Sequence, residues 1–436
     1  MPSDTTGQTA HPALDHKAVG AVVLGNALEF YDFTLYAFFA VPIGAAFFPA
    51  DNATDSLLAS LALFGIGYVM RPIGGIVIGA FADRAGRKPA MLITIALMAV
   101  GMLMLALAPS YATLGGWAQV IVIAGRLIQG LALGGEVGPS TAYLLEAAPP
   151  DRRGFVASWQ IASQGCAALF AGVIASALTL VLGEAAMADW GWRVMFLLGI
   201  GVVPVGLVIR SHLPETAGEA EDPAAAPSTG AVVVRLVRDH GRLLLLTFLV
   251  IAASTVSNAI GTNMPVYAKA TLGLTETVST AVPIALGLAS VVFPLAGGWL
   301  ADRVGRRPVL IWPRAAIVLL ALPAFWWLAQ APTALSVYAV TFLLSALSSI
   351  NAAAIIVAIP ESLPRNVRSA GLSIVYAFSV SIFGGSTNYV VNKLIALSGD
   401  RLAPAYYLVA FSAVGTLAAL MMPETRGRDL DADSEA

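Results

Sequence analysis

Six charged residues lie inside apolar runs of this 436-residue chain, and their types are those that hold protons and bind anions. Glu29 and Asp32 fall in GNALEFYDF, residues 25–33, within a run from Val19 to Phe39. Arg71 falls in MRPIGG, Arg126 and Glu136 in RLIQGLALGGEVG, and Arg314 in an apolar stretch after a basic turn. A charge at the centre of a bilayer costs about 2.5–3.5 kcal/mol even on insertion scales. Six unpaired charges would cost on the order of 15 kcal/mol, comparable with the whole stability of a typical domain. They must pair or face water, which requires a polar cavity between helices. There a carboxylate can take up and release a proton, and a guanidinium can grip a carboxylate through two parallel hydrogen bonds.

The elements that would hold these groups follow from spacing. Glu29 and Asp32 are three residues apart and share one helix face. Asn26 extends that face by a turn in one direction and Tyr36 in the other. Arg71 lies about eleven residues, roughly 16 Å, from the basic end of its helix. Arg126 lies about nine residues, roughly 14 Å, from the opposite end of its own. Both positions fall near the middle of a membrane. The same groups also have a purely structural reading, because buried Arg–Asp pairs can lock helices together. Glu136, among small residues that favour tight packing, fits that reading best.

Composition sets the class. The chain is 58% hydrophobic and 11% charged, against about a quarter charged in soluble domains. The deficit runs the length of the chain, so a multi-pass membrane protein is expected. A net charge of −2 argues against a nucleic-acid partner. The single cysteine, Cys166, excludes an internal disulfide and fits no zinc site. The four histidines, His11, His16, His212 and His240, fall outside the apolar runs, which argues against a histidine relay. No metal-ligand cluster, nucleophile–base set or phosphate loop is present, so neither an enzyme nor a cofactor is expected. The polar start, residues 1–17, lacks the apolar core of a signal peptide.

A spanning helix needs roughly 20 mostly apolar residues. Twelve such spans are predicted, at 18–40, 57–80, 89–109, 117–146, 154–180, 192–211, 243–268, 278–300, 308–329, 333–360, 369–395 and 403–422. With the N-terminus inside, the inner segments hold 17 of the 24 lysines and arginines, which places both termini in the cytoplasm. The expected organisation is a tail at 1–17, a six-helix bundle at 18–211, a linker at 212–242, a second bundle at 243–422 and a tail at 423–436. Within the linker, AVVVRLVRDHGR has the pattern of an amphipathic surface helix.

The two halves echo each other. GAFADRAGRKP (79–89) and GWLADRVGRRP (298–308) match at an offset of 219 residues. Gly79, Gly86, Gly298 and Gly305 permit close helix approach and a tight turn. Asp83 and Asp302 can cap a helix or pair with a base across the halves, and Arg84, Arg87, Arg303 and Arg306 belong at the inner interface. A second echo sets Glu146 seven residues before Arg153 and Glu361 seven before Arg368; LPET and MPET end the sixth and twelfth spans. These loops read as conformational gates.

The doubled loop resembles the hallmark of the major facilitator superfamily, G-x-x-x-D-R/K-x-G-R/K-R/K. RLIQGLALGGEVG, with Arg126 and Gly130, is similar to its helix-four motif. GNALEFYDFTLYAFF, MRPIGG and GRLIQGLALGGEVG resemble the metabolite:proton symporter branch, and IFGGSTNYV (382–390) the citrate–proton symporters within it. Val137, where the branch commonly has an aromatic, and Arg314 depart from that pattern. The resemblance covers residues 18–425. It implies an all-α membrane fold of twelve transmembrane helices in two pseudo-symmetric six-helix bundles. It also implies a bacterial inner-membrane, monomeric, proton-coupled importer that works by alternating access.

In related symporters an acid on helix one and an arginine on helix four couple to the proton. The resemblance therefore implies Asp32 with Arg126, with Glu29 as the rival acid. Charge counting extends this: three acids balance three arginines, and protonating one acid frees an arginine for an anion. The expected substrate is a small organic acid, a tricarboxylate or dicarboxylate such as citrate. Betaine or proline, shikimate and α-ketoglutarate are the alternatives; an efflux pump or a non-transporting nutrient sensor fits less well. Further candidates for the substrate cavity are Gln160 and Gln164 on the fifth span, Asn258 and Tyr267 on the seventh, Asn351 on the tenth, and Tyr376 and Asn388 on the eleventh. Gly261 and Pro265 predict a bend in the seventh span.

Overall fold

A computed structural model describes residues 16–85, 87–134, 144, 148–149, 151–211, 229–362 and 375–427. Every regular element among these residues is helical. The long helices are α1 (His16–Phe38), α2 (Ala53–Ala85), α3 (Arg87–Leu107), α4 (Gly116–Leu133), α5 (Arg153–Leu182), α6 (Trp192–Ser211), α7 (Thr229–Val266), α8 (Glu276–Val304), α9 (Arg306–Gln330), α10 (Ala334–Ser362), α11 (Gly385–Ser398) and α12 (Ala403–Met421). Helical residues 375–379 and a π-turn, Val380–Gly384, lead into α11.

Eight of these (α2, α4, α5, α7, α8, α9, α10 and α12) contain described segments long and apolar enough to cross a bilayer alone. The first span is broken instead. Its helical pieces Phe30–Phe38 and Ala40–Phe47 meet at 72° and pass the same test together. In α3 the apolar stretch is Leu92–Leu107, while α6 and α11 occupy the sixth and eleventh predicted spans. The surface carries exposed large apolar side chains such as Val181, Leu319, Trp312 and Ile76, as expected where lipid replaces water as the neighbour. Lipid tails are as apolar as leucine, so close packing and internal hydrogen bonds hold such helices together.

The seventh span differs from its expected shape. α7 runs through Gly261 and Pro265 without a break and ends in a π-turn, Tyr267–Thr271. Its non-helical residue is His240, at φ −127° and ψ 18°. Missing Pro N–H groups are tolerated inside membrane helices when neighbours satisfy the freed carbonyls.

Each half has its own packed interior. Phe33, Phe64, Leu105, Val122, Trp192 and Phe196 belong to the first. Val256, Ile260, Ile317, Phe325, Val340 and Leu408 belong to the second, with Leu246, Val309, Ile359 and Met422 closing it at the end that carries the basic loops. That end is called the basic end below. The halves meet where α5 runs along α8. A Cβ added at Gly298 would lie 2.3 Å from the Gly154 carbonyl oxygen, so only glycine fits this crossing. At the opposite end Glu184 Oε1 accepts hydrogen bonds from the Thr277 N–H at 3.0 Å and hydroxyl at 2.6 Å.

Candidate functional site

A central cavity of about 190 Å³ lies between the halves, walled by α1, α2, α5, α7, α8, α10 and residues 376–384. Among the described residues lining it, Arg71 is the one charged side chain. The rest of the polar wall includes Gln160, Gln164, Asn258 and Tyr376, with hydroxyls from Ser254, Thr255, Ser348 and Ser349. Arg71 is buried, with its guanidinium carbon 4.0 Å from the Tyr68 ring centre and 4.3 Å from that of Phe33. A planar guanidinium over an aromatic face is held without a counter-ion, leaving its donors for a ligand. Among the described residues Arg71 makes no ion pair.

Arg126 and Asp32 lie outside the cavity wall, both fully buried. Their nearest charged atoms are 3.7 Å apart, close enough for an ion pair but too long for a hydrogen bond. Arg126 donates to Gln129 Oε1 at 2.7 Å. Aromatic rings complete the enclosure: its guanidinium carbon lies 4.4 Å from Tyr36, 4.6 Å from Phe33 and 5.6 Å from Phe64. Close approach of α2 and α4 builds this pocket. A Cβ at Gly130 would lie 2.1 Å from the Gly67 carbonyl oxygen, so glycine is required there. The short spacing brings Arg126 on α4 beside Phe64 on α2.

Several predicted cavity residues take other places. Asn26 donates from Nδ2 to the Gln160 carbonyl at 3.1 Å and to Ser163 Oγ at 2.7 Å, which ties α1 to α5. The Tyr36 hydroxyl turns toward Ser60, 3.2 Å from its carbonyl oxygen, while its ring covers Arg126. Tyr267 donates to the Arg401 carbonyl at 2.8 Å. Asn388 is buried in α11, and its carbonyl accepts from Asn392 Nδ2 at 2.7 Å. Arg314 is buried inside the second half, donating to the Ala253 carbonyl at 2.8 Å, Ser257 Oγ at 2.7 Å and Asn351 Oδ1. Asn351 in turn donates to the Leu310 carbonyl at 2.6 Å. A nearby backbone or side-chain oxygen thus satisfies Asn26, Tyr36, Tyr267, Arg314 and Asn351 away from the cavity, whereas the buried side-chain amide of Asn388 has no hydrogen-bond partner among the described residues. The Glu29 side chain lies outside the described residues, as does Glu136.

The second basic loop builds a network at the basic end. Asp302 accepts from the Gly154 and Phe155 N–H groups, each at 2.8 Å, so a carboxylate of α8 caps the start of α5 in the other half. It also accepts from Arg306 at 2.8 Å. Arg306 and Glu361 form a two-bond pair at 3.1 Å each, and the Thr425 hydroxyl donates to Glu361 at 2.8 Å. Gly305, at φ 104°, makes the turn that brings these groups together. Arg303 lies over Trp299 at 4.2 Å, and Arg153 is buried at the start of α5. Burial works to raise the Glu424 carboxyl, but the N–H groups of Arg426, Arg306, Arg307 and Thr425 hold it below the usual carboxylate range. In the first basic loop, Gly86, together with the side chains of Asp83, Arg84 and Arg87, lies outside the described residues. Glu146 and Arg368 do too, and Gly79 is placed only by its backbone, in α2.

Phe33, Tyr68 and Gln129 escaped the sequence reading, yet two carried a signal. Tyr68 precedes Arg71, and Arg126 precedes Gln129, by three residues each, the spacing of neighbours on one helix face.

Residues 22–387 match the Major Facilitator Superfamily. The chain belongs to this superfamily. A citrate-proton symporter of Klebsiella pneumoniae is 37% identical over 405 residues, covering 92% of this chain and 90% of its relative. An ectoine/proline transporter of Corynebacterium glutamicum is 34% identical over 439 residues, covering 95% and 85%. The crystal structure of a D-xylose-proton symporter superposes with a TM-score of 0.75 at 19% identity, covering 96% of this chain and all of that one. That likeness shows the major facilitator fold, with twelve helices in two six-helix bundles. This superfamily member is therefore a multi-pass membrane transport protein.

Proposed function

We propose that this transporter imports a small organic acid, a tricarboxylate or dicarboxylate such as citrate, together with protons by alternating access. The observation that carries the reading is the cavity's charge: the charged side chain on its described wall is Arg71, which makes no ion pair among the described residues. Similarity to a citrate-proton symporter supports the same substrate class. In this reading Arg71 grips a carboxylate, and Gln160, Gln164, Asn258 and Tyr376 supply hydrogen bonds. Asp32, set against Arg126, carries the coupled proton. The bacterial inner membrane, cytoplasmic termini, the bundles 18–211 and 243–422, the 212–242 linker and a monomeric state belong to the same proposal. The Asp302 and Arg306 network serves as a gate between the halves.

A second reading, uptake of a zwitterionic solute such as proline or betaine, draws on the similarity to an ectoine/proline transporter and on the aromatic rings at Arg71. Substrate-driven proton entry separates the two. Citrate added to proteoliposomes loaded with a pH dye acidifies the lumen if the first reading holds. Acidification by betaine and none by citrate would favour the second.

A further inference from the structure

The two halves treat their buried arginines differently. In the first, Arg126 has Asp32 as a counter-ion at 3.7 Å. In the second, Arg314 is equally enclosed, but its acceptors are the Ala253 carbonyl, Ser257 Oγ and Asn351 Oδ1, all neutral. Residues 243–422 contain four carboxylates in all: Glu276, Asp302, Glu361 and Asp400. Each is engaged elsewhere. Glu276 pairs with Lys269 at 3.2 Å, Asp302 and Glu361 hold Arg306, and Asp400 accepts from the Leu402 N–H at 2.8 Å. Arginine stays protonated in proteins, so the interior of the second half carries a permanent positive charge with no acid paired to it among the described residues.

A helix clamp does not need that charge. Glutamine can donate to a carbonyl and a hydroxyl, whereas a buried charge met only by neutral groups is costly. The position of Arg314 gives the charge a use. Its partners on α7, Ala253 and Ser257, adjoin Ser254 and Asn258, which line the cavity. Its partner on α10, Asn351, lies between the cavity-lining Ser349 and Ala352. Ala253 and Ser257 face about 100° round α7 from Ser254 and Asn258, so the guanidinium is held behind α7 and α10, helices that carry this part of the wall, and not on the wall itself. We infer that Arg314 is a specificity-determining residue, a fixed cation whose counter-charge is the bound polyanion. Arg126, by contrast, has a counter-ion whose charge a proton can cancel. This inference rests on the anion reading above and deepens it: selection is by charge number, with trivalent and divalent acids favoured over monovalent ones.

The test uses citrate as the probe, in equilibrium binding to the purified full-length protein. Arg314→Lys keeps the charge, Arg314→Gln removes it, and Ser257→Asp cancels it in place by giving the guanidinium a carboxylate where it now meets a hydroxyl. Citrate affinity is expected to fall about tenfold or more in Arg314→Gln and Ser257→Asp, and to stay within about threefold in Arg314→Lys. Ser257→Asp is expected to melt no lower than wild type, since it pairs a buried charge; it carries the test if Arg314→Gln does not fold. Undiminished citrate affinity in folded Ser257→Asp would overturn the inference and leave Arg314 a helix clamp. Failure of the wild type to bind citrate at all would overturn the anion reading, and this inference with it.

Discussion

The guanidiniums of Arg71 and Arg126 share one aromatic ring, that of Phe33, at 4.3 and 4.6 Å. Phe33 and Arg71 line the cavity and Arg126 does not. A cation–π contact is worth about 0.5–2 kcal/mol, more when desolvated. The ring thus steadies both cations while keeping them apart. In the proposed cycle a proton on Asp32 leaves Arg126 without a counter-ion, held by Gln129 and the rings of Phe33, Tyr36 and Phe64. In the same proposed cycle the substrate meets Arg71 directly, and Phe33 links that site to Arg126.

Replacing Phe33 by leucine keeps apolar bulk and removes the π face. We predict that Phe33→Leu lowers gradient-driven accumulation of citrate several-fold while exchange of internal for external citrate persists. The comparison is made in proteoliposomes with and without a pH gradient. Equal loss of both activities would show that the ring supports the fold alone.

Arg71 is predicted to act by fork geometry as well as charge. Arg71→Lys should raise the citrate KM about tenfold and Arg71→Gln about a hundredfold, in line with the loss of one or two charge-assisted hydrogen bonds. Initial-rate uptake across substrate concentrations checks this. Unchanged KM in Arg71→Gln would move substrate binding away from this residue.

At the basic end, Arg306 and Glu361 are both nearly inaccessible and joined by two hydrogen bonds. Removing one member of a buried pair costs about 3–5 kcal/mol when it strands the other; here Arg306 keeps Asp302 at 2.8 Å, so the loss falls below that range. Glu361→Ala is therefore predicted to melt moderately below wild type in detergent. The double variant Glu361→Ala with Arg306→Met should recover part of that loss. A double variant no more stable than the single one would argue that the pair is not the source.

Glu424 gives a pH dependence of known sign. Its folded pKa is depressed by the N–H groups it accepts from, against the opposing effect of burial. A depressed carboxylate contributes stability that is present above the unfolded pKa and lost as pH falls through the folded one. The melting-temperature difference between wild type and Glu424→Gln is predicted to be largest at neutral pH and to shrink on acidification below the ordinary carboxylate range. A difference independent of pH would assign the effect to packing.

The architecture was legible because composition and repetition report on long segments. Apolar length marked the spans, and the doubled ADR–G–R loop marked the halves. The α5 cap by Asp302 was readable as a class of contact, since an aspartate at a helix boundary can accept from N–H groups, but its partner across the seam was not. Local spacing placed Asp32, Asn26 and Tyr36 on one face, but tertiary packing gave them different neighbours: Arg126, Ser163 and Ser60. The break at Phe39 followed from no proline or glycine at that residue. The cation–π enclosure also escaped the reading, because a phenylalanine in an apolar run carries no sign that arginines from two other helices will approach it.

In the proposed cycle, a proton on Asp32 is coupled to the uptake of an organic anion. The most direct measurement is accumulation of labelled citrate in proteoliposomes with an inward proton gradient, for wild type and Asp32→Asn side by side. Uphill accumulation is expected of wild type and collapses when the gradient is removed; none is expected of Asp32→Asn, which still exchanges citrate. Uphill accumulation by Asp32→Asn at the wild-type level would contradict that coupling.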